Sequence, residues 1–241
     1  MRGWLYLGRR RLVGPLPGSG AGAGRGPLAV TSWLVIPNED IARVSDAQTR
    51  FDAVIAGLTD DDARRASRLP DWTVGHVLAH VARNADSHVR RTEAATRGEV
   101  VEQYPGGWAG RAAEIEATAD RPAAELIDDV RTSGAKLLAA WASIPEHAWD
   151  GLTTDVGGRD RPLWQLVGRR WQELEVHVVD LGVGVSPREW PDDFVAVWLP
   201  RLRTHFGDQV PADVGLDERD ELAWLYGRFA GDDLPVLPPW G

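Results

Sequence analysis

Glu173 and His177 lie four positions apart in the segment QELEVHVVDLG. If this segment is helical, both side chains share one face about 6 Å apart, which is close enough for both to bind one metal ion. Leu174, Val178 and Leu181 lie near the same face, so the carboxylate and the imidazole are predicted to point into the protein. A divalent cation would remove the cost of burying an unpaired carboxylate. The pair therefore predicts a buried metal site.

A catalytic zinc site needs a third protein ligand, with its fourth position left to water or substrate. The segment VGHVLAHVARNA offers His76 and His80, which share one helix face. Spacing alone does not choose between them. His80 is bracketed by apolar residues and His76 lies near the predicted helix start, which favours His80. Neither spacing is specific by itself, because such pairs also occur as solvated pairs or as core histidines.

Helices are needed to hold these residues, and the spacing of apolar residues predicts a set of them. Four segments follow a helical period, over residues 41–58, 74–96, 122–141 and 162–182. Thr73 is a suitable N-cap for the second segment. Pro122 and Pro162 stand where a first-turn proline belongs and predict the starts of the third and fourth helices. Four amphipathic helices predict a bundle, and bundle cores hold metal sites of this type.

The chain divides into three predicted regions. Residues 1–37 are rich in glycine and proline without periodicity, which predicts a disordered leader. Residues 38–185 form the predicted bundle. Residues 186–241 are predicted to form a small C-terminal domain with helices near 192–205 and 218–228 and a proline-rich tail. No run in this last region alternates clearly enough to predict a strand.

Composition excludes several classes of function. With 36 acidic and 27 basic residues the formal charge is −9, which argues against binding to nucleic acid or to an anionic membrane surface. No cysteine is present, so thiol chemistry requires a cosubstrate. No stretch approaches the roughly 20 apolar residues that span a bilayer. We predict a cytoplasmic protein that is a monomer or a weak homodimer.

Four segments resemble the mycothiol-dependent maleylpyruvate isomerases, whose N-terminal domain is a DinB-like four-helix bundle. They are LPDWTVGHVLAHVARNA, YPGGWAGRAAEIE, WQELEVHVVDLG and LAWLYGR followed by LPPW, and the resemblance spans roughly residue 40 to the C-terminus. In that family one histidine of HVA-x-NA and the Glu and His of E-x-x-x-H-x-x-DLG bind zinc. These positions are His80, Glu173 and His177 here, so the resemblance selects His80 over His76.

The resemblance implies a mainly α fold, with the bundle followed by a small α or α+β appendage. The stretch between His205 and Glu218 is short where the family has sheet-forming sequence, which suggests a truncated appendage. The family's substrate arginines fall on Arg111 and Arg228. Both are predicted to bind carboxylates in bidentate fashion, and Arg228 is also predicted to be catalytic. Asn84, one turn after the histidine of HVA-x-NA, is a further candidate for substrate contact.

The activity implied by the resemblance is a zinc- and mycothiol-dependent cis/trans isomerisation of maleylpyruvate or a related unsaturated keto acid. Zinc, or another divalent metal, favours the deprotonated form of a bound thiol. The thiolate would add to the cis double bond, the new single bond would rotate, and elimination would give the trans isomer. Two alternatives stay open: transfer of mycothiol to an electrophile in detoxification, and a noncatalytic zinc-binding regulatory protein.

Overall fold

The computed structural model describes residues 37–231 and 233–238, so the predicted leader lies outside the described residues except for its last position. Within this part the chain is mainly α, as predicted, with one antiparallel pair of short strands, β1 (Leu152–Thr154) and β2 (Asp160–Pro162). The helices are α1 (Asn38–Ile55), α2 (Asp60–Arg64), α3 (Val74–Thr96), α4 (Gly107–Ala119), α5 (Ala123–Ala142), α6 (Gln165–Asp180), α7 (Asp192–Phe206) and α8 (Glu218–Leu225). No helix in this part is long and apolar enough to cross a membrane.

The four longest helices of the first 180 residues close into a bundle. Helix α1 packs against α5 and α6, and α3 packs against the same two helices. The predicted apolar stripe of α1 faces this core, where Val44, Phe51 and Ile55 are buried. Burial of each such side chain stabilises the fold by about 1.5–3 kcal/mol. The predicted four-helix bundle is confirmed.

Helix α3 begins where the sequence predicts. The Thr73 hydroxyl accepts a hydrogen bond from the His76 backbone N–H at 3.3 Å, and the His76 ring accepts one from the Thr73 backbone N–H at 3.3 Å. His76 is therefore part of the helix cap. A Cβ on Gly75 would meet the carbonyl oxygen of Ala119 at 2.3 Å, so a glycine here allows α3 and α4 to approach closely.

The start of the fourth bundle helix was predicted wrongly. Pro162 is the last residue of β2, and α6 begins three residues later at Gln165. The turn between the strands is closed by Asp155, whose carboxylate accepts hydrogen bonds from the backbone N–H groups of Gly157 and Arg159 at 3.0 Å each. Three-residue strands are too short to produce a recognisable alternating pattern.

The glycine-rich loop after α3 is shorter than the sequence suggests, because α4 starts inside it. Gly106 and Gly107 have φ angles of 82° and 62°, a left-handed backbone that glycine adopts without steric cost. Helix α4 then packs directly on α3. This arrangement carries Trp108 and Arg111 into the same cavity as the predicted metal ligands.

The C-terminal region packs on α6. Phe194 lies 5.3 Å from Trp171 of α6 and 5.5 Å from Trp190 between ring centroids, and the Trp190 indole donates to the Glu175 carbonyl at 2.7 Å. One apolar core runs from the bundle into this region. Between residues 186 and 238 the described residues include helices but no strand, so the appendage is of the α type. The division at 185/186 stays a prediction.

Candidate metal centre

The predicted ligands meet between α3 and α6. His80 Nε2 lies 3.0 Å from Glu173 Oε2 and 3.1 Å from His177 Nε2, and His177 Nε2 lies 3.2 Å from Glu173 Oε2. His80 and His177 are buried, and Glu173 is partly exposed. Two imidazole nitrogens and one carboxylate oxygen therefore converge on one point, as the sequence predicts.

The spacing of these three atoms fits a zinc ion. Tetrahedral zinc with bonds of about 2.0–2.1 Å separates its ligand atoms by about 3.3 Å, close to the 3.0–3.2 Å found between the ligand atoms of His80, Glu173 and His177. A set of two histidines and one glutamate is common in catalytic zinc sites, which leave a fourth position for a ligand from outside the protein.

The protonation states of His80 and Glu173 suit a cation. Burial and the nearby Arg111 guanidinium lower the pKa of His80 to about 4, so its imidazole is neutral at neutral pH. Burial alone would raise the pKa of Glu173, but hydrogen bonds with His177 and His80 outweigh it and hold the pKa well below its usual range. Metal binding requires neutral imidazoles and an ionised carboxylate. Burial alone would lower the pKa of His177, but hydrogen bonds with Asp180 and Glu173 raise it, so a metal ion would have to displace a proton from this imidazole.

Asp180 orients His177 from behind. Its Oδ2 lies 2.8 Å from His177 Nδ1, which places the imidazole proton on Nδ1 and directs the Nε2 lone pair at the other two ligands. Burial would raise the pKa of Asp180, but hydrogen bonds from His177 and Arg228 lower it to about 2. The position of Asp180, three residues after His177, made it a candidate for this role in the sequence, but a capping or surface role was equally compatible with that position.

Arg228 lies behind the same pair. Its Nε and Nη2 donate to Asp180 at 2.9 and 2.6 Å, and its Nη1 donates to the Tyr226 carbonyl at 2.5 Å. Arg228 also lines the cavity described below. Arg228 is predicted to bind a substrate carboxylate. To do so, its guanidinium would have to break its ion pair with Asp180 and form a new one with the substrate. In this structure it supports His177 through Asp180.

The other two predicted substrate residues lie beside His80. Arg111 Nη2 is 3.2 Å from His80 Nδ1, and its guanidinium lies 5.6 Å from the Trp72 ring centroid and 5.8 Å from that of Trp108. Asn84 is buried, and its side-chain oxygen accepts a hydrogen bond from Arg170 at 3.0 Å. Both residues line the cavity, although the side-chain oxygen of Asn84 already accepts its hydrogen bond from Arg170.

A cavity of about 460 Å³ opens from the three ligands, a volume in the range of small-molecule sites. Its acidic lining residues, within the described part of the chain, are Asp155 and Glu173. Six arginines line it: Arg91, Arg111, Arg159, Arg161, Arg169 and Arg228. A cavity with more arginines than acidic residues attracts anions, even though the whole chain has a formal charge of −9. The sequence analysis identified two of the six arginines.

A family model, the mycothiol maleylpyruvate isomerase N-terminal domain, matches residues 44–182. The chain belongs to this family. The matched range of the mycothiol maleylpyruvate isomerase N-terminal domain contains His80, Glu173, His177 and Asp180, whereas Arg228 follows it.

Two solved structures share the fold of this member of the mycothiol maleylpyruvate isomerase family. The crystal structure of the mycothiol-dependent maleylpyruvate isomerase is 22% identical, with a TM-score of 0.74, and the match covers 84% of this chain and 96% of that chain. A mutant of that enzyme is 21% identical, with the same TM-score of 0.74 and the same coverage of 84% and 96%. No curated protein matches the chain.

We expect Asp180→Ala to weaken zinc binding about 10–100-fold, the usual loss when the hydrogen-bond partner of a metal-binding histidine is removed. The variant removes the acceptor that fixes His177 and leaves Arg228 without its carboxylate. Titration against a chelator of known zinc affinity measures the change. Asp180→Asn keeps an oxygen near His177, so its loss of zinc affinity should be smaller. Unchanged zinc affinity in Asp180→Ala would show that Asp180 does not support the site.

Proposed function

We propose that this chain is a zinc- and mycothiol-dependent isomerase that converts the cis double bond of maleylpyruvate, or of a related unsaturated keto acid, to trans. One observation carries the proposal: His80, Glu173 and His177 converge at one end of an arginine-lined cavity. Membership of the mycothiol maleylpyruvate isomerase family supports the same activity, as does the fold shared with a mycothiol-dependent maleylpyruvate isomerase.

His80, Glu173 and His177 would hold the metal, and the thiol would come from mycothiol because the chain contains no cysteine. Bound zinc, or another divalent cation that accepts these ligands, would lower the pKa of a thiol at its open position so that the thiolate is present at neutral pH. Asp180 would keep His177 in the tautomer that binds the metal.

The proposed reaction uses the thiol without consuming it. The sulfur forms a bond to one carbon of the cis double bond, and the π electrons move into the conjugated carbonyl group. The former double bond is then single and rotates. When the electrons return, the carbon–sulfur bond breaks and releases the trans acid and the thiolate. Positive charge in the cavity would stabilise the enolate that forms during the reaction.

Arg111 is suited to bind the substrate carboxylate once a metal ion is bound to the three ligands. Its Nη2 lies 3.2 Å from His80 Nδ1 and 3.4 Å from His80 Nε2, so it can donate to Nδ1 when that nitrogen is unprotonated. If His80 Nε2 binds the metal, the imidazole proton lies on Nδ1 and that hydrogen bond is lost. The guanidinium, held between the rings of Trp72 and Trp108, then has donors for a carboxylate in the cavity. Arg228 and Asn84 are our other proposed substrate contacts.

Incubation of the purified protein with maleylpyruvate and mycothiol tests this proposal. We expect the trans isomer to accumulate while the free thiol concentration, measured with a chromogenic thiol reagent, stays constant. A stable conjugate with loss of thiol would instead indicate an S-transferase. Absence of both products from zinc-loaded protein would support a noncatalytic zinc-binding protein.

We also propose that the protein acts in the cytoplasm, as a monomer or a weak homodimer, on small molecules and not on nucleic acid. The acidic composition, with a formal charge of −9, opposes binding to polyanions. Sedimentation at several protein concentrations would measure the oligomeric state, and a stable higher oligomer would contradict this part.

A further inference from the structure

A polar stripe runs along α3 away from the metal ligands. His80, Asn84, His88 and Arg91 follow one another at intervals of four, four and three residues, and all four line the cavity. They are all buried. Because an α-helix rises 1.5 Å per residue, the Cα atoms of His80 and Arg91 are about 16 Å apart. Arg91 therefore marks a region of the cavity distant from the metal centre.

Arg91 is a buried cation without an ionic partner. Only 2% of its surface is exposed, and its Nε donates to the Ser87 carbonyl at 3.3 Å. No other hydrogen bond or ion pair of Arg91 occurs among the described residues. Burial lowers its pKa only to about 10, so the guanidinium stays charged at neutral pH. Its two terminal nitrogens remain for a ligand in the cavity.

The acidic residues of the cavity form no ion pair with Arg91 among the described residues, although Asp155 and Glu173 both favour its charged form from a distance. Asp155 is committed to its own turn: it accepts from the Gly157 and Arg159 backbone at 3.0 Å, and from the Arg159 and Arg161 side chains at 3.0 and 2.9 Å. Glu173 belongs to the metal centre. Burial of a charge without a direct ion pair is unfavourable, so the position of Arg91 favours an anion from outside the chain.

Two further buried polar atoms in the same cavity have no hydrogen bond of normal geometry within the described residues, although the Ser87 side chain interacts with one of them, the hydroxyl of Tyr104. They are the Tyr104 hydroxyl and His88 Nδ1. Each side chain is 1% exposed. An unsatisfied buried polar group costs about 1–3 kcal/mol, and both groups can donate a hydrogen bond. A carboxylate could take both terminal nitrogens of Arg91 and a hydrogen bond from Tyr104.

We propose that Arg91, Tyr104 and His88 form a second anion-binding subsite, which holds a substrate carboxylate remote from the metal centre. The subsite favours an unsaturated acid with two carboxylates, because a neutral electrophile would leave Arg91 uncompensated. A hydroxyl-rich thiol cosubstrate would leave it uncompensated as well. Assigning this anion to the isomerase substrate rests on the proposed function, whereas the subsite itself rests on the buried polar groups.

Calorimetric titration of the zinc-loaded protein with maleate, a small cis dicarboxylate, tests the subsite. Arg91→Met keeps much of the side-chain length but removes the charge, and we expect it to weaken maleate binding at least 10-fold. Tyr104→Phe removes only the hydroxyl, so its loss of maleate affinity should be smaller. Arg97→Gln is the matched control, since Arg97 is an exposed arginine at the end of α3 paired with Glu99. Equal maleate affinity in wild type and Arg91→Met would overturn the proposal.

Thermal unfolding gives a second readout that a purely structural role for Arg91 would not produce. Without ligand, Arg91→Met should melt about 2–4 °C above wild type, because an uncompensated buried charge is gone. Maleate should raise the melting temperature of wild type and of Arg97→Gln but not of Arg91→Met. A lower melting temperature together with an undiminished response to maleate would overturn the proposal.

The two proposals fail in different ways. Maleate binding that depends on Arg91, in a protein that does not isomerise maleylpyruvate, would support the subsite and reject the proposed function. An active isomerase whose maleate affinity and KM are the same in wild type and Arg91→Met would reject the subsite and leave the proposed function standing.

Discussion

Replacing His177 with alanine is expected to weaken zinc binding by more than about 100-fold, the upper end of the loss for an outer-shell partner, and to abolish isomerisation. The substitution removes one of three ligand atoms that lie 3.0–3.2 Å apart. Two protein ligands do not hold a catalytic zinc ion in a defined geometry. Elemental analysis after dialysis should find about one zinc per chain in wild type and almost none in the variant.

His76→Ala is the matched control, because His76 lies on the same helix one turn before His80. Its ring caps α3 and contacts Glu116 at 3.4 Å, and it is not one of the three converging ligands. We expect full zinc content and a small loss of stability, about 0.5–2 kcal/mol for a weakened helix cap. Zinc retained in His177→Ala, or lost in His76→Ala, would contradict the assignment of the ligands.

Local sequence spacing was sufficient to bring two of the three candidate ligands together, and the family resemblance supplied the third. The prediction that Glu173 and His177 lie together requires only that their segment is helical, because a spacing of four residues places two side chains on the same side of a helix. His80 required more, because His76 shares its face, and spacing left both possible. The structure separates them by local chemistry: Thr73 binds the His76 ring as part of the helix cap, and His80 continues into the core.

The hairpin and the short helices could not be read from the apolar pattern. Strands β1 and β2 have three residues each, and α2 has five, which is less than the window over which a period can be recognised. Pro162 illustrates the difficulty. A proline suits the first turn of a helix and also the end of a short strand, so the residue type did not decide between them.

The partners of the arginines depend on tertiary contacts and not on sequence neighbours. Arg228 reaches Asp180 across 48 positions, and nothing near either residue in the sequence indicates that pairing. Arg91 differs, because its spacing from His80 along α3 was visible in the sequence. That signal was missed because an arginine in a helix is usually solvated, and only the structure shows its burial.

Charge is distributed unevenly between the surface and the cavity of this protein. The formal charge of −9 is that of the whole chain, whereas six arginines and two acidic residues line the cavity that contains the predicted metal ligands. Net charge therefore excluded polyanionic partners but did not reveal that the site itself favours small anions. Burial makes Arg91, with 2% of its surface exposed, more effective than an arginine at the surface.

Arg170→Ala is expected to destabilise the bundle by about 2–4 kcal/mol, the largest loss of stability that we predict. Arg170 is fully buried and ties α6 to two neighbouring helices. Its guanidinium donates to the Val81 carbonyl at 2.8 Å, to the Asn84 side chain at 3.0 Å and to the Gln48 side chain at 3.1 Å. Alanine leaves two buried amide oxygens unsatisfied and opens a cavity. Urea unfolding measures the difference.

The neighbouring Arg169 provides the control for this substitution. Its side chain is exposed, and its hydrogen bond to Gln172 is long, at 3.4 Å, so Arg169→Ala should change stability by no more than about 0.5 kcal/mol. The joint replacement Gln48→Leu, Asn84→Leu and Arg170→Met should recover much of the loss, because it removes all three side-chain members of the network together. If Arg170→Ala unfolds at the same urea concentration as Arg169→Ala, the buried guanidinium does not hold the helices together. The support of Asn84 beside the metal centre would then come from elsewhere.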